Sequence, residues 1–286
     1  MLYDVLMYFS PLDKTELSKI IDEKSQRVIK YYISKSLFAE PEPQFDKSEV
    51  SFRVPNEHIE QWIAQSIGGK RIGSGSYPID LISSDGKFGA DVAVVTAKTS
   101  KGKLSTGLSG EKSIGQKFAD SEWGDEYSLD ELFKSLSISK IAENSNEIFY
   151  KKFSIVKKDY PSIEKIYYFF VIIHSQEDRF YLFGLNVDYR SKRGIGSPTR
   201  KGKKELKNII LDNFIEEKYG EVTIYKSKKR MELRLRTKFL VENDYCMIFN
   251  IAKERELVSI RDLSDIELKD LYIKEAVDQF NKVHKL

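Results

Sequence analysis

A chain of 286 residues that is 41% hydrophobic and 12% aromatic can bury one large core or two smaller ones, ample for a folded globular protein rather than a disordered one. Its 47 basic residues nearly balance 44 acidic ones, leaving a net charge of +3, so any surface for a polyanion has to be local. The lone Cys246 excludes an internal disulfide framework, no apolar run approaches the roughly 20 residues of a membrane span, and no signal-peptide pattern opens the chain, so the expectation is a soluble cytoplasmic protein with no membrane partner.

The first element expected is a helix from Asp13 or Thr15, with Leu17, Ile20, Ile21, Val28, Ile29, Tyr32 and Ile33 at helical spacing and PEPQ at 41–44 as its stop. NEHIEQWIAQSIG, residues 56–68, gives a second helix with Ile59, Trp62, Ile63 and Ile67 on one stripe and Glu60 projecting toward the sheet that follows. Residues 77–98 form a β-hairpin. A helix is expected to start near Glu111 and Gln116, and another at Ser128, where Glu131 completes a capping box. KIYYFFVIIHS and RFYLFGLNVDY are two strands across a polar turn that extend a central sheet. Residues 191–204 are the expected break, followed by a helix over 204–218, a basic hairpin, a strand near 246–252 and a helix from Ser264 to about His284. This divides the chain into 1–189, N-terminal helices with a core, and 190–286, a basic α/β region that can also be continuous with it. His58, His174 and His284 are too scattered to define a metal site.

The hairpin carries the chemistry. PIDLI and ADVAVV each place one Asp, Asp80 or Asp91, among residues that favour a pleated, partly buried surface, where an unpaired carboxylate loses several kcal/mol of hydration. Each needs a cation or strong donors. Two carboxylates on paired strands make a hard oxygen site that suits Mg2+, which takes one or two carboxylates together with water and phosphate oxygens. The alternative is two acids near a turn, bonded to backbone.

Pro78-Ile79-Asp80, with Asp91 on the next strand, resembles the PD-(D/E)xK nuclease superfamily, best known from type II restriction endonucleases. The motif places a first Asp at the end of one strand, an acidic residue about ten positions later on the next, and a Lys two positions beyond. The similar segment covers residues 50–120. It implies a mixed α/β fold with a restriction-endonuclease-like central mixed sheet flanked by helices, with Asp80 and Asp91 as Mg2+ ligands. Glu60 would be the helix carboxylate bordering the site and a further metal ligand, and Gln116 would orient the metal shell. The chain departs from the pattern at residue 93, which is Ala. Residue 93 shares the face of Asp91, whereas Lys98 falls on the opposite face unless a bulge or the strand end brings it in. Either the catalytic Lys is relocated, or a Lys that once stood at position 93 has been replaced by Ala; restoring it there would complete the pattern without any other change.

Two clusters concentrate the positive charge. Arg190, Lys192, Arg193, Arg200, Lys201, Lys203 and Lys204 occupy a loop without acidic residues, and Lys226, Lys228, Lys229, Arg230, Arg234, Arg236 and Lys238 occupy the basic hairpin. Such patches suit phosphate neutralisation, and an Arg-bearing ribbon can enter a major groove. A solvated basic face is the ordinary alternative. Together with the resemblance, the expectation is a magnesium-dependent type II restriction enzyme acting on double-stranded DNA, a possible homodimer with a cognate methyltransferase. The alternatives are a nonspecific repair or defence nuclease, and an inactive nucleic-acid-binding protein.

Overall fold

The computed structural model describes residues 7–39, 56–72, 77–115, 138–174, 179–189, 199–201, 208–228 and 230–250, with 274 and 278. A short strand, β1 (Phe9–Pro11), precedes the first helix and was not legible in the sequence. Asp13 then caps α1 (Lys14–Ile20): its carboxylate accepts from the Glu16 N–H, and Glu16 accepts in return from the Asp13 N–H. The single helix expected here is two. Asp22 accepts from both the N–H and the hydroxyl of Ser25 and starts α2 (Glu23–Ala39), so an internal cap breaks a pattern whose apolar spacing runs on unchanged.

Downstream come α3 (Asn56–Ser66), β2 (Lys70–Arg71), β3 (Leu81–Ile82), β4 (Phe88–Thr96), the small pair β5 (Thr99–Ser100) and β6 (Lys103–Leu104), and β7 (Lys112–Gly115). Next are α4 (Ile138–Asp159), β8 (Lys165–His174), β9 (Arg179–Val187), β10 (Thr199–Lys201), β11 (Asn208–Ile210), β12 (Gly220–Tyr225), β13 (Arg230–Leu235), α5 (Thr237–Glu242) and β14 (Cys246–Asn250). The segment after Glu111, expected to open a helix, is strand β7, because KSIG pairs with the distant strand β13, a partner that local propensity does not see. Part of the segment expected as a helix over 204–218 is likewise strand β11, paired with β12. The Ser128 cap, the PEPQ stop and nearly all of the closing helix lie outside the described residues; Lys274 and Asp278 are helical.

The main sheet has seven strands in the order β1-β9-β8-β4-β3-β2, with β14 also paired to β9. β4 and β8 run parallel and the other pairs antiparallel, so the chain crosses over between β4 and β8 through β7 and α4. Both faces are covered. Ala90 and Val92 of β4 and Tyr167, Phe169 and Val171 of β8 pack with Leu17, Ile29, Ile59 and Ile63 of the N-terminal helices. The alternate residues, Ala93, Val95, Tyr168, Phe170 and Ile172, pack with Phe149, Phe153 and Val156 of α4. They also meet the apolar face of a second, five-stranded sheet, β10-β11-β12-β13-β7, through Val222, Ile224, Met231 and Leu233. Phe149 is fully buried and contacts the rings of Tyr8, Phe9, Phe153 and Phe214; each such burial contributes roughly 1.5–3 kcal/mol.

This arrangement is a mixed α/β fold. Residues 1–251 form one compact unit and 252–286 a second. The boundary expected at 190 falls within the first unit, where β7 from before the break shares a sheet with β10–β13 from after it. No helix among the described residues is long and apolar enough to cross a membrane.

Candidate active site

The Ser-Ser-Asp-Gly turn closes the carboxylate hairpin. Asp85 accepts from the Ser83 hydroxyl and the Lys87 N–H, and Gly86 takes φ +70°, a left-handed conformation that favours glycine. The turn sets the register Leu81↔Ala90 and Ile82↔Gly89. Asp80 thereby continues β3 alongside β4, its N–H donating to Ala90 O at 2.8 Å. One Asp80 carboxylate oxygen, Oδ2, accepts from the Val92 N–H at 2.7 Å, and the carboxyl group is also in hydrogen-bond contact with Asp91. Both carboxylates therefore lie on one side of the hairpin.

Asp91 stands mid-strand, only 7% exposed, on the β4 face that turns toward α4 and the second sheet. Two lysines meet it there. Lys112 Nζ, from β7, donates to Asp91 Oδ1 at 2.9 Å, and Lys152 Nζ, from α4, lies 4.0 Å from Oδ2. Lys152 also donates to the Tyr168 hydroxyl at 3.0 Å and to Ile114 O, the backbone of the same β7 strand. Tyr168 is the register partner of Asp91 on the parallel strand β8. A main-sheet carboxylate thus draws one ammonium from the helix layer and one from the second sheet.

The electrostatics follow from crowding two carboxylates in a partly buried place. Burial, reinforced by the Asp91 charge and hydrogen bond, pushes the Asp80 carboxyl up to about 8, against the Val92 N–H, which lowers it; Glu60 raises it a little further. Lys152 is lowered, because burial outweighs the attraction of Asp91 and Lys112 repels it. Lys112 is partly buried, and burial alone would lower it, yet Asp91, Asp80 and Glu60 together raise it. The Tyr168 hydroxyl is held well above its ordinary range by burial and by both aspartates.

The other residues expected here take varied places. Glu60 projects from α3 and pairs with Arg71 of β2 at 3.1 Å, close enough to act on Asp80 through space. Ala93 is on the Asp91 face as its parity requires, but it is 6% exposed and packed in the core. Lys98 is exposed past the end of β4 and makes no ion pair among the described residues, while Ala97 occupies the core side. Gln116 lies outside the described residues. No group of three or more His, Cys, Asp or Glu able to hold a metal occurs among the described residues. An oxygen pair such as Asp80 and Asp91 nevertheless fits Mg2+, which completes its shell with water and phosphate.

Comparison with known proteins identifies no relative. No protein-family model, curated protein or solved structure matches the chain. The geometry of the site and its surroundings therefore carries the functional argument alone.

Sequence reasoning missed Lys112 and Lys152. Lys152 had a signal: on the stripe of Phe149, Phe153 and Val156, all fully buried, position 152 is where another apolar residue is expected, and a cation there implies a buried partner. Lys112 had none, because its segment reads as a helix start rather than a strand.

Beyond the carboxylates, the basic hairpin is β12–β13. Leu233 and Leu235 face the core, and Arg230, Glu232 and Arg234 face outward with Thr223 and Tyr225 as register neighbours. Four of its described cations are engaged. Lys228 and Arg234 bond Glu111 directly; Arg230 Nε donates to Glu232 at 2.9 Å and Arg230 Nη2 approaches Glu111 at 3.5 Å. Arg236 instead binds the backbone and carboxylate of Glu217. Arg200 and Lys201 belong to β10, with side chains outside the description, and Arg190, Lys192, Arg193, Lys203 and Lys229 lie outside the described residues.

Proposed function

We propose that the chain is a magnesium-dependent DNA endonuclease with a restriction-endonuclease-like sheet, hydrolysing phosphodiester bonds in duplex DNA at a specific sequence. The observation that carries this reading is one cluster: Asp80 and Asp91 in contact on adjacent strands, with Lys112 and Lys152 both at Asp91. A purely structural aspartate needs one partner; here two carboxylates and two ammonium groups converge beside a hydrogen-bonded tyrosine. Perturbed carboxyl and lysine groups gathered in this way are a recurrent mark of catalytic sites.

Asp80 and Asp91 would hold the Mg2+, which when bound supplies charge stabilisation at the scissile phosphate and acidifies an attacking water. The protein groups do the rest. Lys112 fixes Asp91 by its bond to Oδ1, and the Asp80 and Asp91 carboxylates would be the groups that hold the ion. Lys152, anchored by Tyr168 and by the β7 backbone, orients the water and offsets charge developing on the phosphoryl oxygens. On this reading the Lys missing from position 93 is relocated. The space beside Asp91 already holds two ammonium groups, and Ala93 is core. Glu60, paired with Arg71, which limits its charge, would border the ion site and add a carboxylate to it.

The second reading, an inactive nucleic-acid-binding protein, rests on the same Lys112–Asp91 bond taken as a structural ion pair. Incubation of the chain with phage and plasmid DNA in Mg2+ separates the readings. Discrete fragments support restriction, a smear supports a nonspecific nuclease, and binding without cleavage supports the second reading.

A further inference from the structure

The outward face of the second sheet is polar, yet parts of it are sealed. Glu232 is 0% exposed and Thr223 1%. Around Glu232 stand Lys228 at 3.1 Å, Arg230 at 2.9 Å and Arg234 at 3.7 Å. Tyr225 lies under two of these cations, with Lys228 Nζ 5.1 Å and the Arg234 guanidinium 5.3 Å from its ring centroid. One buried carboxylate cannot balance three cations, and the second is Glu111, which all three also approach. The two acids differ in kind: Glu232 is mid-strand and fully buried on the outward face, whereas the Glu111 side chain is 31% exposed and sits just ahead of β7. Two donors on the same face, Ser113 Oγ and Arg234 Nε, are buried without an acceptor among the described residues; Ser113 is the register partner of Glu232.

We infer that Lys228, Arg230 and Arg234 form a binding site for a backbone phosphodiester of duplex DNA, in which Glu111 stands in for the phosphate until DNA displaces it. The chemistry is like for like. A carboxylate and a phosphodiester both accept charge-assisted bonds from guanidinium and ammonium forks, and the phosphate brings further oxygens for the orphaned donors. Glu111 makes the site self-screening: free chain presents a nearly neutral cluster, and only a polyanion that contributes several phosphates at once outcompetes the tethered carboxylate. The adjacent residue, Lys112, holds Asp91, so the phosphate site and the candidate catalytic carboxylates are joined through consecutive residues at the start of one strand. This inference deepens the nuclease reading and rests on it for the identity of the polyanion, but its test is independent of cleavage.

The test is binding of a labelled duplex without metal, by anisotropy over a salt series, for the unmodified chain and for Glu111→Gln, Glu23→Gln and Lys228→Gln. Glu111→Gln is expected to tighten binding by about tenfold and to steepen the salt dependence by close to one unit. Glu23→Gln, which removes the same charge from an exposed i,i+4 pair on α2, is expected to change affinity by less than about twofold. Lys228→Gln is expected to weaken binding. Equal tightening by Glu111→Gln and Glu23→Gln, no tightening by Glu111→Gln in a chain that melts normally, or unchanged affinity in Lys228→Gln would each overturn the inference. If Glu111→Gln fails to fold, Lys228→Gln decides alone. Parallel plasmid assays in Mg2+ keep the two readings apart: cleavage without the Glu111 effect removes only the phosphate site, and the Glu111 effect without cleavage removes only the nuclease.

Discussion

Lys112 Nζ donates to Asp91 Oδ1 at 2.9 Å, although the two residues belong to different sheets. The bond joins the second sheet to the carboxylate hairpin, and with Lys152 it gives Asp91 the positive neighbours that the residue two positions on does not supply. Removing either lysine should therefore act on catalysis. Lys152→Met and Lys112→Met are each expected to lower Mg2+-dependent cleavage by at least about a hundredfold, while Lys98→Ala, at an exposed strand end, stays within about twofold. Single-turnover rates on a cleaved duplex check this; a large loss in Lys98→Ala alone would return the catalytic role to the strand end.

Ala93→Lys separates a relocated lysine from a lost one. Residue 93 is packed among core side chains, so the longer, charged side chain should cost about 1–3 kcal/mol of stability and bring no gain in cleavage. Denaturant unfolding and cleavage rates measure the two effects. A rise in activity of about a hundredfold would show that the site lacks its lysine as built.

Asp80 makes a pH prediction whose sign is opposite to that of an ordinary salt-bridged carboxylate. Its folded value, about 8, lies above the ordinary 3.8, so across that window the native chain holds a proton that the unfolded chain has released. Stability of the metal-free protein should therefore fall as pH rises from about 4 to about 8, and Asp80→Asn should flatten that slope. Mg2+ has to displace the same proton, so its binding should release close to one proton per ion below pH 8 and strengthen toward pH 8. Calorimetry in buffers of different ionisation heat reads this directly; no proton release at about pH 6–7 would remove Asp80 from the metal site.

How much of this was legible depends on whether the determining contact is local. Asp80 and Asp91 were found because alternation and a turn are local signals, and the same holds for β8, β9 and the basic hairpin. Lys112 was missed because its strand exists only by pairing with β13, and the helix expected over 204–218 gave way to β11 for the same reason. The break between α1 and α2 was hidden by apolar spacing that continues through the Asp22 cap. The basic hairpin read as a surface of free charge because sequence does not show that Glu111 reaches Lys228 and Arg234.

Phe149 links the layers. Its ring meets β1, α4 and Phe214 at once, so Phe149→Ala should cost about 3–5 kcal/mol, measured as a lower denaturant midpoint. A loss under about 1 kcal/mol would mean that these layers are not packed as described.

Asp80, Asp91 and their two lysines are proposed to cut DNA. The most direct test follows supercoiled plasmid and phage DNA in Mg2+ and in EDTA, with the unmodified chain and a folded Asp91→Asn variant. Cleavage is expected from the unmodified chain only with Mg2+, and none from Asp91→Asn, with DNA affinity kept within about tenfold. Cleavage that persists in Asp91→Asn, or a folded unmodified chain that binds these DNAs in Mg2+ and leaves them intact, would contradict the proposal.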